Sequence, residues 1–276
     1  MTLARQPKGF MFDLDGTLIL SNRALGCYEA IKGASEALEE LDRLGIPWLA
    51  LTNGSAYAAS RQAPRLRKVG LPVPDGKLFT PNSVAAKVMN DRGYESVLVL
   101  GTEGVAHALS ELGINCVMPG DDGAESADAV YVAWHPDCTM DHIHAACGRV
   151  LDGAALLTAS DVPFFATKEG RSFGYSCAIN GAIARVTGKE PEATGKPSTH
   201  AMRFIADQLG LAVEDVGVVG DDATAEIQMA RTSGAIGIGV TSGSTSADEW
   251  ASQPDDKTPH LVIEDIGGLV TRLGLR

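Results

Sequence analysis

The segment Asp13-Leu14-Asp15-Gly16-Thr17 sets two carboxylates two positions apart, directly after the apolar run Phe10-Met11-Phe12. In an extended or tightly turning chain, residues two apart point to the same side. Carboxylates held side by side repel unless a cation lies between them or one keeps a proton. A cation makes this a hard-metal site, in which Mg²⁺ takes one or two carboxylates and leaves its other positions to water and phosphate oxygens. The same pair can divide into a nucleophile and a general acid/base. A solvated turn accounts for it equally well, because Asp-Gly is a common turn dipeptide. An EF-hand loop is excluded, since Gly16 follows the second acid directly.

Three further clusters follow apolar runs or open helices. Thr52-Asn53-Gly54-Ser55 combines a hydroxyl with a turn of small residues whose amides can face an anion. Gly195-Lys196-Pro197-Ser198 puts an ammonium at a helix start; Pro after the lysine rules out a Walker A loop. Gly220-Asp221-Asp222 again places acids after an apolar run, Val216 to Val219. Singly, each reads as a helix cap, a surface lysine or a capping Asp.

The elements that must position these groups are legible from hydropathy. Strands are expected at Phe10–Phe12, Trp48–Leu51, Val97–Leu100, Ala129–Ala133, Ala154–Leu157, Val216–Val219, Ala235–Val240 and His260–Ile263. They are short, uniformly apolar and end at turn residues, as strands covered on both faces do. Between the first two, Ile31, Ala34, Leu38, Leu41 and Leu44 recur at helical spacing until Gly45. Met202 to Leu209 repeats the pattern and stops at Gly210. Ser246 and Glu249 form a capping box. Strands interleaved with such helices build an α/β fold with a parallel sheet, whose ligands gather at the carboxyl ends of the strands.

Composition narrows the functions. The 276 residues carry 35 Asp+Glu against 23 Lys+Arg, a net charge of −12. That acidity excludes nonspecific nucleic-acid binding, which needs a basic surface. No apolar window is long enough for a membrane span, and the N-terminus lacks a signal-peptide core. Five widely spaced cysteines without a C-x-x-C pair argue against a disulfide framework or zinc ribbon and fit a reducing cytoplasm.

Taken in order, Asp13-x-Asp15-Gly-Thr, Thr52-Asn53, Gly-Lys196-Pro-Ser and Gly-Asp221-Asp222 resemble the four motifs of the haloacid dehalogenase superfamily of phosphohydrolases. The match covers nearly the whole chain. The long stretch between the second and third motifs is similar to that of the subgroup with a large inserted α/β cap. This subgroup includes NagD-like nucleotide phosphatases, pyridoxal phosphatase, phosphoglycolate phosphatase and 4-nitrophenylphosphatases. The resemblance implies a Rossmann-like parallel-sheet core at residues 1–79 and 190–276, with a smaller α/β cap at 80–189. It implies Mg²⁺-dependent hydrolysis of a small phosphorylated metabolite through an aspartyl-phosphate. Asp13 would attack phosphorus, and Asp15 would protonate the leaving oxygen and then activate water. Thr52, the Asn53 backbone and Lys196 would bind phosphate. The metal would be held by Asp13, the Asp15 carbonyl and Asp221. Asp15 itself favours a phosphatase, because the family's true dehalogenases lack the second acid. Cap-mediated dimers among similar proteins admit a homodimer here.

This chain departs from the family pattern in three places. Thr158-Ala159-Ser160-Asp161 stands where relatives carry Thr-Asn-Pro-Asp, and Tyr175-Ser176-Cys177 where they carry a Gly-x-Gly turn. Ala225-Glu226 replaces a Thr-Asp pair after the fourth motif. Asp161, Lys168 and Arg171 lie in the stretch that the resemblance turns toward the leaving group, and are candidates for substrate specificity. A solvated loop accounts for the two basic residues equally well. The histidines do not gather: His142 and His144 would not share a helix face, and His135, before Pro136, reads as a turn residue. Two rival functions remain, a phosphotransferase that uses a second acceptor and a phosphometabolite-binding module without turnover.

Overall fold

Strands Gly9–Phe12, Trp48–Leu51 and Val216–Gly220 are buried along their whole length, which explains their uninterrupted apolar sequences. The computed structural model describes residues 3–22, 27–167 and 170–275, apart from the side chains of 21, 22, 27, 165–167 and 170–172. Contacts divide the chain into one unit of Met1–Thr52, Ser60–Phe79 and Lys196–Arg276 and a second of Asn53–Ala59 and Thr80–Gly195.

The first unit holds a six-stranded sheet. Its order across the sheet is Leu261–Ile263, Ile236–Val240, Val216–Gly220, Gly9–Phe12, Trp48–Leu51, Leu78–Phe79, and every neighbouring pair is parallel. The chain builds outward from Gly9–Phe12 on one side, then returns to build outward from Val216–Gly220 on the other. The crevice between these two central strands is a topological switch point, where open α/β sheets bind ligands. Helix Ala34–Arg43 buries Ala34, Ala37, Leu38 and Leu41, the face its sequence periodicity marks. Helix Thr199–Leu209 starts at Ser198, whose Oγ accepts from Ala201 N, and ends at left-handed Gly210.

The second unit holds its own parallel sheet, ordered Glu192–Ala193, Ala155–Thr158, Ala129–Val132, Val97–Leu100, Cys116–Val117. Alternate residues face opposite layers. Val97, Val99, Ala129, Tyr131 and Leu157 pack with Ala85 and Met89 of helix Pro81–Asp91 and Val105 and Leu109 of helix Glu103–Ser110. Leu98, Leu100, Val130, Val132 and Leu156 pack with Ala146 and Val150 of helix Met140–Leu151 and Ile179 and Ile183 of helix Tyr175–Thr187. Two covered faces leave no position for polar alternation, so each strand reads as one apolar run.

Among the described residues the sheets also contain two-residue strands and two antiparallel pairs, Ile19–Asn22 with Cys27–Ala30 and Phe164–Thr167 with Gly170–Phe173, which hydropathy did not mark. Residues 53–59 and 190–195 group with the second unit, whereas the sequence-derived division assigned them to the core. For 190–195 the reason is pairing: Glu192–Ala193 extends the second sheet, and Thr194 N donates to Thr158 O at 2.8 Å. No described helix is long and apolar enough to cross a membrane.

Candidate active site

Parallel register sets the first two acids of the site beside each other. Phe12 pairs with Val219, and the next amide, Asp13 N–H, donates to Val219 O at 3.0 Å. Asp13 therefore leaves one central strand where Asp221 leaves its neighbour, and both are buried. After Asp13 the chain wraps tightly: Leu14 O accepts from Thr17, Leu18 and Ile19, and Gly16 N–H donates to Ile19 O at 2.7 Å. Gly16 has φ +84°, a conformation that favours glycine, and a Cβ there would overlap the Asp221 carboxylate. Asp15 projects from this turn into solvent.

A loop after strand Ile236–Val240 closes the same site. Ser244 N–H donates to Asp221 Oδ2 at 2.6 Å, and Ser244 Oγ–H donates to Asp221 O at 3.1 Å. Ser242 Oγ–H donates to Gly16 O at 2.7 Å. Gly243 lies so near Asp221 that a side chain would collide with it. Sequence reading missed these residues, because the run from Thr241 to Asp248 looks like any polar loop.

Lys196 joins the two halves of the first unit. Its side chain is 1% exposed and its ammonium donates to Asp13 Oδ1. The same nitrogen lies 2.6 Å from Glu226 Oε1, on a side chain 3% exposed. Glu226 sits in a π-helical turn, Ala223–Ile227, that follows Asp222, and its Oε2 accepts from Asp222 N–H at 3.2 Å. The departure that sequence comparison flagged at Glu226 is thus a third buried acid in contact with the lysine. Gly220 makes room for it, since a Cβ at 220 would overlap Glu226 Cβ, Cγ and Cδ. Gly220→Ala is expected to cost about 1–3 kcal/mol by overpacking. Urea denaturation checks this, and an unchanged midpoint would show that Glu226 can move aside.

Charge balance in this cluster is unequal. Burial pushes Asp13 up to about 7, against the lowering pull of Lys196, and the nearby Glu226 and Asp15 raise it further. Burial likewise raises Glu226 to about 7 and Asp221 to about 6, Asp221 being raised also by the charge of Asp13. Lys196, although buried, is held well above its ordinary value by Asp13 and Glu226. Fully ionised, three buried carboxylates against one ammonium would leave two negative charges uncompensated, a costly state in a low-dielectric interior, which is why all three hold their protons to higher pH than usual. A divalent cation would balance them. All the donors are oxygens, the chemistry of a hard ion, and the glycines at 16 and 243 clear space against Asp221.

The other expected residues divide between the units. Thr52 follows strand Trp48–Leu51, is buried, and donates its N–H to Phe79 O at 3.2 Å. Asn53 groups with the second unit, where its Oδ1 packs over Gly195 Cα. Asp161 is exposed in the second unit, its Oδ1 3.4 Å from Asn180 Nδ2. Asn180 also donates to Thr158 Oγ1 at 2.8 Å, while Ser176 Oγ–H donates to Ser160 O at 2.6 Å. The altered stretches around 160 and 176 therefore bond to each other. Lys168 lies outside the described residues; Arg171 falls in strand Gly170–Phe173, with its side chain outside them. The expectation for the histidines is corrected: His135 is buried and its Nε2 lies 3.0 Å from His142 Nδ1.

Comparison with known proteins agrees with this geometry. A haloacid dehalogenase-like hydrolase model matches residues 10–115, and a related hydrolase model of the same superfamily matches 193–269. The chain is 27% identical over 256 residues to the 5'-nucleotidase YutF of Bacillus subtilis, covering 91% of this chain and 93% of that protein. It is 27% identical over 250 residues to the ribonucleotide monophosphatase NagD of Escherichia coli, covering 90% and 92%. A solved structure of a hypothetical protein from Pyrococcus horikoshii matches with a TM-score of 0.85 at 25% identity, over 96% of this chain and 99% of that one. By motifs, sheet order and these likenesses, the chain belongs to the haloacid dehalogenase-like hydrolases, in their NagD-like subgroup.

Proposed function

We propose that this phosphoric monoester hydrolase uses Asp13 as nucleophile, Asp15 as acid and base, and Mg²⁺ as its cation, on a small phosphorylated metabolite. The observation that carries this reading is the buried cluster of Asp13, Asp221, Glu226 and Lys196 at the switch point of the first sheet. Mg²⁺ would be held by Asp13, the Asp15 carbonyl and Asp221, and when bound would offset negative charge on the acids and on phosphate.

The chain's own residues carry the reaction. Lys196 holds one oxygen of Asp13 and directs the carboxylate. An Asp13 oxygen forms a bond to phosphorus while the bond to the leaving oxygen breaks. Exposed Asp15 gives its proton to that oxygen, then takes one from the water that cleaves the aspartyl-phosphate. Thr52 and Asn53 contribute phosphate contacts. Such transfer depends mainly on positioning and on cancelling charge on the equatorial oxygens, which a buried ammonium does strongly. The second unit serves as the cap that selects the leaving group, with Asp161 and Arg171 as candidate determinants. Free thiols at Cys116, Cys138, Cys147 and Cys177 suit a reducing compartment.

A screen of phosphorylated sugars, nucleotides, pyridoxal phosphate and small phosphorylated acids with Mg²⁺ is expected to release inorganic phosphate without any added acceptor. Excess chelator is expected to abolish release, and added Mg²⁺ to restore it. Activity undiminished in chelator would contradict the metal role of Asp221.

A further inference from the structure

Three metal-ligating side chains meet in the second unit, away from any residue given a role above. His135 follows strand Ala129–Val132, Cys138 lies in the loop beyond it, and His142 is in the first turn of helix Met140–Leu151. His135 Nε2 lies 3.0 Å from His142 Nδ1, and one ligand atom from each of the three residues lies within 4.8 Å of the others. The site occupies a meaningful place in the sheet. Strands Val97–Leu100 and Ala129–Val132 are neighbours from which the chain builds outward in opposite directions, and Thr102 N–H donates to Trp134 O at 3.2 Å between the loops that leave them. This is the second sheet's own switch point, at its carboxyl edge.

His135 is buried, yet its Nδ1 has no hydrogen-bond partner among the described residues. Nδ1 is therefore the nitrogen left to carry the ring proton when Nε2 binds a cation. His142 Nδ1 also accepts from Thr139 N–H at 3.3 Å, which places the proton between the facing nitrogens on His135 Nε2; an ion between the rings takes both lone pairs once that proton moves and the Thr139 bond is released. The spacing H-x₂-C-x₃-H closes only short loops, so bringing the ligands together costs little entropy.

We propose that His135, Cys138 and His142 form a binding site for Zn²⁺, with water in the fourth position. Two imidazole nitrogens and a thiolate are the ligands of Zn²⁺, while the oxygen-seeking Mg²⁺ does not compete for them. Around a tetrahedral ion at ordinary bond lengths the two nitrogens stand about 3.3 Å apart and each stands about 3.6 Å from sulfur. The nitrogen pair is already near that separation, and Cys138, half-buried on a loop, needs only a short inward shift. On binding, the thiol proton leaves to solvent, the His135 ring proton moves from Nε2 to Nδ1, and Thr139 N–H releases His142 Nδ1 to the ion. The ion pins the loop to the start of helix Met140–Leu151 and so stiffens the edge of the second sheet.

Cobalt reports this site without reference to phosphatase activity. Full-length protein, reduced and held in excess Mg²⁺, is titrated with Co²⁺. One equivalent should produce a thiolate-to-cobalt charge-transfer band with the strong visible absorption of four-coordinate cobalt, and one equivalent of Zn²⁺ should bleach both. Cys138→Ser, a conservative change on a loop, should remove the charge-transfer band. His142→Asn should weaken cobalt binding at least tenfold. Because substitution of buried His135 can unfold the protein, alkylation of the unmodified chain provides a second measurement: Zn²⁺ should protect Cys138 and leave Cys116 reactive. Absence of the charge-transfer band, its persistence in Cys138→Ser, or equal alkylation of Cys138 with and without Zn²⁺ would overturn the proposal.

Discussion

Asp13→Asn is expected to lower phosphate release from every phosphomonoester by on the order of 10⁴-fold or more, as removal of a covalent nucleophile does. The amide keeps the shape of the carboxylate but cannot form the acyl-phosphate bond. It also removes one of three buried negative charges while Lys196 still has Glu226 at 2.6 Å. Stability should therefore hold or rise, because Asp13 in the folded protein is pushed up to about 7 by burial and by its acidic neighbours. Steady-state phosphate assays on a substrate of the parent protein, paired with a thermal melt, separate the two effects. Turnover retained by the folded variant would remove Asp13 from the reaction.

Lys196→Met should combine the second largest loss of activity with the largest loss of stability. The methionine fills most of the volume but leaves Asp13 and Glu226 buried without their cation. Breaking a buried pair by removing one partner typically costs about 3–5 kcal/mol. Phosphate release should fall by about 10²–10³-fold, the loss seen when a preorganised charge facing a transition state is removed. Part of the stability loss is avoidable by protonation. Lys196 is what draws both carboxyls down, so without it each takes up a proton at higher pH than before. The added Glu226→Gln change should then recover stability but not turnover. A double-mutant cycle in urea measures that coupling, expected at about 0.5–3 kcal/mol for residues in contact. Full additivity of the two substitutions would mean that Glu226 does not depend on Lys196.

Much of the architecture is legible in the sequence. Strands Trp48–Leu51 and Val97–Leu100 occupy the ranges that hydropathy assigned, because strands covered on both faces have no polar positions to blur their ends. Helix Thr199–Leu209 was readable from its periodicity and its glycine stop, and the Ser246–Glu249 capping box from residue spacing alone. The pair Phe164–Thr167 and Gly170–Phe173 was not, since Phe164 and Phe173 are exposed and follow no buried face. Strand Glu192–Ala193 is held by its neighbour Ala155–Thr158, and two residues carry no pattern of their own.

The site followed the same division. Asp13, Asp15, Lys196 and Asp221 were marked by short motifs, each a matter of a few neighbouring residues. Glu226 was visible only as a departure from a family pattern, and its contact with Lys196 depends on the π-helical turn after Asp222 and on the open space over Gly220. His135 and His142 looked unrelated because the sequence marks one as a turn residue before Pro136 and the other as near a helix start. Their meeting depends on how the loop returns after strand Ala129–Val132.

By itself, then, the sequence determined the α/β class and marked the acids and the lysine that the proposed mechanism uses, because hydropathy period and motif spacing are short-range properties of the chain. Only the tertiary structure decided the charge balance. Asp13 and Lys196 are 183 residues apart in sequence. Parallel strand order brings Asp13 beside Asp221, and burial turns three acids and one ammonium into a site that, once its acids ionise, lacks two positive charges.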